Sequence, residues 1–247
     1  MRRAILVLLS VLCLDFTHST VGAEVVIDAD TTIDSRYEDS SLRVIAGLVP
    51  QTTVHFVDPA YVEESVYLED DSDLEMSGGE IHDSLYLSES TVANLTGGTI
   101  GDTVHVDNFS VITLNGANLL DYVYNDGFSL ATYVDGNVRG AVARGGSLVS
   151  IIGGNFQANG QESILVAEDN AKIYVYGTEF NQGFGVIRGE QTGTLTGVLK
   201  QGMAINGTFT VHGNGEIILR QVPEPATLAL FLPGMLMLAW PRKRCSA

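Results

Sequence analysis

Glycine-marked corners recur at a fixed interval along the middle of this chain. Ser77-Gly78-Gly79-Glu80-Ile81 is followed by Thr96-Gly97-Gly98-Thr99-Ile100, then by Asn115-Gly116-Ala117-Asn118-Leu119 and Asp135-Gly136-Asn137-Val138. The closing aliphatics Ile81, Ile100, Leu119 and Val138 recur at a constant step of 19 in the numbering. Phe156 follows at a step of 18 and Phe180 at a step of 24. A constant period of this size means stacked structural units, because a single unit cannot bury its own apolar side.

The units align as 65–83, 84–102, 103–121 and 122–140. Their second positions are Val66, Leu85, Val104 and Val123, and their fourth are Leu68, Leu87, Val106 and Asn125. Their twelfth positions are Met76, Leu95, Leu114 and Tyr133. Polar residues alternate with these, as in Ser84-Leu85-Tyr86-Leu87, which is the period of a strand and not of a helix. Each strand is short and bounded by Gly, Asn, Asp or Ser, which make turns. Stacking one coil on the next, with equivalent strands in parallel about 4.8 Å apart, buries the apolar columns along an axis. The fold expected is therefore all-β: a single-stranded parallel β-helix, preferably right-handed, since 19 does not divide into the hexapeptides of a left-handed helix. A β-sandwich with evenly spaced turns is the alternative.

This repeat divides the chain. Coils are expected over 65–184. Residues 24–64 break the period and are expected as an N-terminal cap, and 185–221 as closing strands that cover the last edge. The two ends, 1–23 and 222–247, have a different character.

Met1-Arg2-Arg3, the apolar run Ala4 to Leu14 and the small residues Gly22 and Ala23 form a secretory signal peptide cut after Ala23. An apolar run this short does not span a bilayer. An uncleaved anchor and a lipoprotein linked through Cys13 are weaker readings; Leu12 is too large for the position before a lipidated cysteine. The other cysteine is Cys245, so no disulfide framework or cysteine zinc site exists in the body.

At the other end, Val222-Pro223-Glu224-Pro225 precedes an apolar stretch from Ala226 to Trp240, and then Pro241-Arg242-Lys243-Arg244. This three-part tail, residues 222–244, resembles the PEP-CTERM sorting signal of exported bacterial proteins. The apolar part is short for a transmembrane helix, and Arg242, Lys243 and Arg244 would stay on the cytoplasmic side. Transient membrane contact through this helix follows. Prolines at 223 and 225 keep the preceding peptide extended. The resemblance implies an exosortase-type membrane protease as partner, which would read Pro223, Glu224 and Pro225 and remove the tail. A permanent C-terminal anchor is the alternative. The resemblance also implies a place at the cell surface or in an exopolysaccharide matrix.

Charge narrows the partners. The chain has 30 acidic and 13 basic residues. Setting aside Asp15 and Glu224, and Arg2, Arg3 and the three basic tail residues, leaves 28 against 8 over 24–222, a net of −20. Nucleic acid is excluded as a partner, because phosphate binding needs clustered Lys and Arg. The acid is densest at Glu63, Glu64, Glu69, Asp70, Asp71, Asp73 and Glu75.

Asp83, Asp102 and Asp121 close three successive units, and stacking would set them in a column. They are weak candidates for calcium, whose ligands are hard oxygens. Turn chemistry, with each Asp accepting a nearby backbone N–H, is the favoured reading. No other metal or cofactor motif is present. A carbohydrate-active β-helix enzyme, a polysaccharide lyase or glycoside hydrolase, is the alternative function; it needs paired carboxylates or a base beside Lys and Arg. Arg139, Arg144 and Arg188 could supply a weak basic strip. His105 shares its unit position with Tyr86 and Tyr124 and is expected to point outward. The sequence thus describes an exported, non-catalytic surface or matrix β-solenoid, structural or adhesive and associated with extracellular polysaccharide.

Overall fold

The computed structural model describes residues 23–46, 51–156 and 162–222. The expected signal peptide up to residue 22, and the sorting helix with Pro223, Glu224, Pro225, Arg242, Lys243 and Arg244, lie outside the described residues.

The described chain is all strand and turn. The first coil is β1 (Ala23–Ile27), β2 (Thr31–Ile33) and β3 (Arg36–Tyr37); the second is β4 (Ser40–Val44), β5 (Thr52–Phe56) and β6 (Tyr61–Val62). Then come β7 (Val66–Leu68), β8 (Ser72–Met76) and β9 (Glu80–Ile81), and β10 (Leu85–Leu87), β11 (Val92–Leu95) and β12 (Thr99–Ile100). Two coils fuse their last two sides: β13 (Val104–Val106) with β14 (Val111–Leu119), and β15 (Tyr122–Asn125) with β16 (Leu130–Val138). The seventh is β17 (Gly140–Ala143), β18 (Leu148–Ile151) and β19 (Asn155–Phe156). The chain ends with β20 (Ser163–Ala167), β21 (Lys172–Thr178), β22 (Gly185–Arg188), β23 (Gln191–Leu199), β24 (Ala204–Val211) and β25 (Glu216–Gln221).

Three parallel ladders run along the axis. The first face is β1-β4-β7-β10-β13-β15-β17-β20-β24. The second is β2-β5-β8-β11-β14-β16-β18-β21-β25. The third is β3-β6-β9-β12, continued by the ends of β14 and β16 and by β19. This is the parallel β-solenoid expected from the repeat.

The expected columns are the core. Val66, Leu85, Val104 and Val123 pair in register and are buried. So do Met76, Leu95, Leu114 and Tyr133. Ile81, Ile100 and Leu119 form the third buried column. Each inward side chain meets its like one rung away, so burial is continuous although no coil has a core of its own.

Two corners make the coil close. Between the first and second faces, Asp70, Glu89, Asn108, Gly127, Gly145, Asp169 and Gly213 all take left-handed backbone, with φ between 57° and 67°. Two positions later the chain buries a hydroxyl column, Ser72, Thr91, Ser110, Ser129 and Ser147. Before the third face, the recurrent glycines turn the chain. Gly98 has φ of 84°, and a Cβ there would lie 2.8 and 2.9 Å from the carbonyl oxygens of Gly78 and Gly79. Close stacking of coils, as well as the dihedral, therefore requires glycine.

Residues 24–64 are not a separate cap. They form two coils whose strands pair in parallel with the repeat, Val25 with Leu42 and Leu42 with Val66. Those steps are 17 and 24 in the numbering, so a search at 19 passes over them. At the other end, β24 and β25 are also coil strands, paired in parallel on β20 and β21. The edge is covered by β22, antiparallel on β25, and β23, antiparallel on β24. Phe180 does not continue the third face. It is buried after β21 instead, where its ring fills the space a Gly197 side chain would take.

Candidate functional site

On the first face, the third position of each unit points outward and carries an aromatic ring. Tyr67, Tyr86, His105 and Tyr124 pair in register on β7, β10, β13 and β15. Their ring centroids are 4.9, 4.8 and 5.2 Å apart, with planes within 12° of parallel. Coil stacking imposes this spacing, and it suits offset ring stacking. The ring faces are covered by one another, so the row offers its edges to solvent. One such edge, His105 Nε2, lies 3.0 Å from Thr103 Oγ1.

Cations close both ends of the row. Arg43 pairs in register with Tyr67 and donates to Glu69 at 2.5 Å, which holds its guanidinium above its ordinary pKa. Arg144 lies 5.6 Å over the Tyr124 ring and donates to Glu168 at 2.8 Å. Glu69, Ser88, Asp107 and Asp126 follow the aromatic strands at the corner. Burial, reinforced by Asp126, pushes the Asp107 carboxyl up.

Beside this row lies a second cluster. Arg139 reaches Asp121 Oδ1 at 3.2 Å and also donates to Glu162. The Tyr122 hydroxyl donates to Glu162 at 3.3 Å, and the Arg139 guanidinium lies 5.4 Å over the Tyr122 ring. Burial and the Glu162 charge push the Tyr122 phenol up to about 12.

The aspartate column is dispersed along successive rungs. Asp83 accepts from Ser65 Oγ at 2.7 Å and Asp102 from Ser84 Oγ at 3.4 Å, each a hydroxyl eighteen positions earlier. Asp121 accepts the backbone N–H of the next residue, Tyr122, at 2.9 Å, and Arg139 closes the column; of the three, Asp121 alone is given a backbone donor, and the other two use serine hydroxyls. Among the described residues no three His, Cys, Asp or Glu side chains converge as metal ligands.

The arginines do not make a basic strip. Arg139 and Arg144 flank β17 on the first face, whereas Arg188 lies on the covering strand β22, 3.3 Å from Glu216. Each is neutralised by a carboxylate. The histidines are similarly engaged: His55 with Glu75 at 3.1 Å, His82 with Glu80 at 3.5 Å and His212 with Glu190 at 2.8 Å.

The third face holds a shallow depression of about 250 Å³ lined by Arg36, Asp58, Tyr61, Glu80 and Thr99. Arg36 lies 4.2 Å over the Tyr61 ring and pairs with Glu38 at 3.3 Å, so its charge is already met. Beyond it, the second and third faces each carry a polar row. Asn94, Thr113, Thr132 and Ser150 follow one another in register on the second face. Thr99, Asn118, Asn137 and Asn155 do so on the third, with Asn155 Nδ2 donating to Asn137 Oδ1 at 3.1 Å.

Sequence reasoning placed His105 outward but missed that the four rings stack; equal spacing of Tyr67, Tyr86, His105 and Tyr124 was the available signal. Comparison with known protein families, with curated proteins and with solved structures finds no match for this chain.

Proposed function

We propose that this is an exported, non-catalytic β-solenoid of the cell surface or extracellular matrix, a structural or adhesive element associated with polysaccharide. The observation that carries this reading is the pair of flat, in-register rows, Asn94-Thr113-Thr132-Ser150 and Thr99-Asn118-Asn137-Asn155. Amide and hydroxyl groups repeating every rung suit a long polymer with repeating hydroxyls better than a single small substrate. The depression on the third face is smaller than the roughly 300–1,000 Å³ of ligand pockets. A net charge of −20 on the body favours a neutral glycan over an acidic one.

Export and sorting rest on the two ends of the sequence. In this reading the signal peptide is cut after Ala23. The C-terminal tail is then read at Pro223, Glu224 and Pro225 by an exosortase-type protease, and no cofactor is needed. Intact-mass analysis of protein from the source organism tests this part. A mature species that keeps Arg242 to Arg244 overturns it.

One observation favours a second reading, a carbohydrate-active enzyme: Arg139 is held between the carboxylates of Asp121 and Glu162, beside Tyr122. Incubating the protein with neutral and acidic polysaccharides separates the two. Retention on a neutral polymer with no new reducing or unsaturated ends supports the structural reading. Depolymerisation lost in Glu162→Gln supports the enzyme.

A further inference from the structure

The second face carries a row that changes character along the axis. Asp73, Val92, Val111, Leu130, Leu148 and Lys172 occupy one register position on β8, β11, β14, β16, β18 and β21. From Thr53 on β5 the row passes to the Asp73 carboxylate, runs through four aliphatics and closes on a Lys172–Glu216 pair at 3.7 Å. At the adjoining corner Phe109 and Phe128 stack at 5.7 Å and are 66 % and 65 % exposed. Leu130 and Leu148 are 42 % and 39 % exposed. A contiguous apolar patch of this kind on a chain so acidic marks a surface that something covers. Next to it, toward the N-terminal coils, lie Asp70, Asp71, Asp73 and Glu75.

We propose that this surface docks the chain's own C-terminal segment, Ala226 to Arg244, before that segment enters a membrane. The composition of the segment matches the surface in order and in sign. It is apolar from 226 to 240 and then carries Arg242, Lys243 and Arg244. The chain leaves the solenoid after β25, on this same second face. Leu148 is two rungs from β25, roughly 10 Å, and Asp73 six rungs, roughly 29 Å. Crossing the face from the end of β25 adds roughly 20 Å. The segment from 223 to 244 reaches roughly 70 Å when extended, ample for this path. Moving away from β25, the tail passes the mutually neutralised Lys172–Glu216 pair, then meets the aliphatics, and reaches the unneutralised carboxylates last, which is the order of its own apolar and basic parts. Docking shields an apolar segment from water during transit and gives three arginine and lysine charges an acidic counterpart. The idea concerns the precursor and stands whether or not the tail is later removed.

Trp240 is the only tryptophan of the chain and reports on the tail directly. In the detergent-free full chain its emission is expected to be blue-shifted and shielded from acrylamide at every protein concentration. Replacing both Phe109→Ser and Phe128→Ser should shift emission to the red and raise quenching several-fold. The pair Leu130→Ser and Leu148→Ser, on the neighbouring strands, should do the same, with the melting temperature confirming that each variant is folded. Asp71→Asn with Asp73→Asn should loosen the tail, as should raised salt. Emission indifferent to both sets of apolar substitutions overturns the proposal. So does shielding that appears only as concentration rises, which would mean a second copy covers the patch.

Discussion

Tyr86 and His105 stack with centroids 4.8 Å apart and planes 6° from parallel, though neither ring is in the core. The imidazole is the third of four rings, with a tyrosine on each face. Each such contact is worth roughly 0.5–1.5 kcal/mol. His105→Ala removes two of them and should cost about 1–3 kcal/mol in thermal unfolding. His105→Tyr should restore the loss, because the position needs a flat ring and not an imidazole. Equal stability of all three proteins would show that the rings are neighbours without energetic coupling.

Core register makes a sharper contrast. Leu95 is fully buried, while Asn94, one residue earlier on β11, points to solvent. Leu95→Asp should cost several kcal/mol, since a carboxylate would face the axis without a partner. Asn94→Asp should change the melting temperature little. Comparable losses from the two would contradict the pleat described for this strand.

Asn125 and Tyr133 place polar atoms in columns that are otherwise aliphatic. Both are buried, and neither Asn125 Oδ1 nor the Tyr133 hydroxyl has a well-formed hydrogen bond, although the Asn125 amide lies near enough to the phenol to offset part of its burial. Burial pushes the Tyr133 phenol far above its ordinary range. Orphaned polar groups cost about 1–3 kcal/mol each. Asn125→Val together with Tyr133→Phe should therefore raise stability, by about 1 kcal/mol or more after small packing losses. A fall in the denaturation midpoint of the double variant would mean that these groups are satisfied in solution, for example by buried water.

The pair Glu190–His212 ties the β22–β23 turn to the β24–β25 turn. Glu190 also accepts the Gly213 N–H at 2.6 Å. The hydrogen bond from His212, and then that from Gly213, holds the Glu190 carboxyl below its ordinary 4.5; the bond to Glu190 raises His212 above its ordinary 6.5. A raised base contributes fully below its unfolded value and loses that contribution as pH climbs through the folded one. A depressed acid contributes above its unfolded value and loses it as pH falls through the folded one. Both contributions are thus complete between about 4.5 and about 6.5. Hydrogen-exchange protection of the Gly213 amide, corrected for intrinsic rate, should peak there and decline on either side. In Glu190→Gln the peak should vanish.

Calcium sets another test. Asp83, Asp102 and Asp121 each have a protein donor. Melting temperature should accordingly be indifferent to chelator, apart from screening by any salt. A rise specific to calcium, not reproduced by magnesium and lost in Asp102→Asn, would make the column a binding site.

The core was legible because Val66, Leu85, Val104 and Val123 repeat at one spacing, and stacking turns equal spacing into contact. The first two coils were hidden because their steps, 17 and 24 in place of 19, omit or insert corner residues without disturbing strand pairing. The glycine corners were legible through the same regularity. At the other corner, Asp70, Glu89 and Asn108 take the left-handed backbone that Gly127 takes later, so residue type alone concealed the equivalence. The Arg139 cluster was out of sight for a different reason. Glu162 enters from a connection outside the period, and only folding brings it to the Arg139 that Asp121 also holds.

Parallel in-register pairing also makes the chain's length separable from its sequence. Leu85 pairs with Val66 on one side and Val104 on the other, with the same offset on both. Deleting 84–102 as a block would bring Val66 opposite Val104 and Ile81 opposite Leu119, and the aromatic row would close from Tyr67 to His105. A gene for such a molecule can therefore lengthen or shorten its product by whole coils through unequal recombination, with every surviving strand still finding a partner of the same kind. The reach of the molecule is free to vary in increments of one rung while the chemistry of its faces is conserved.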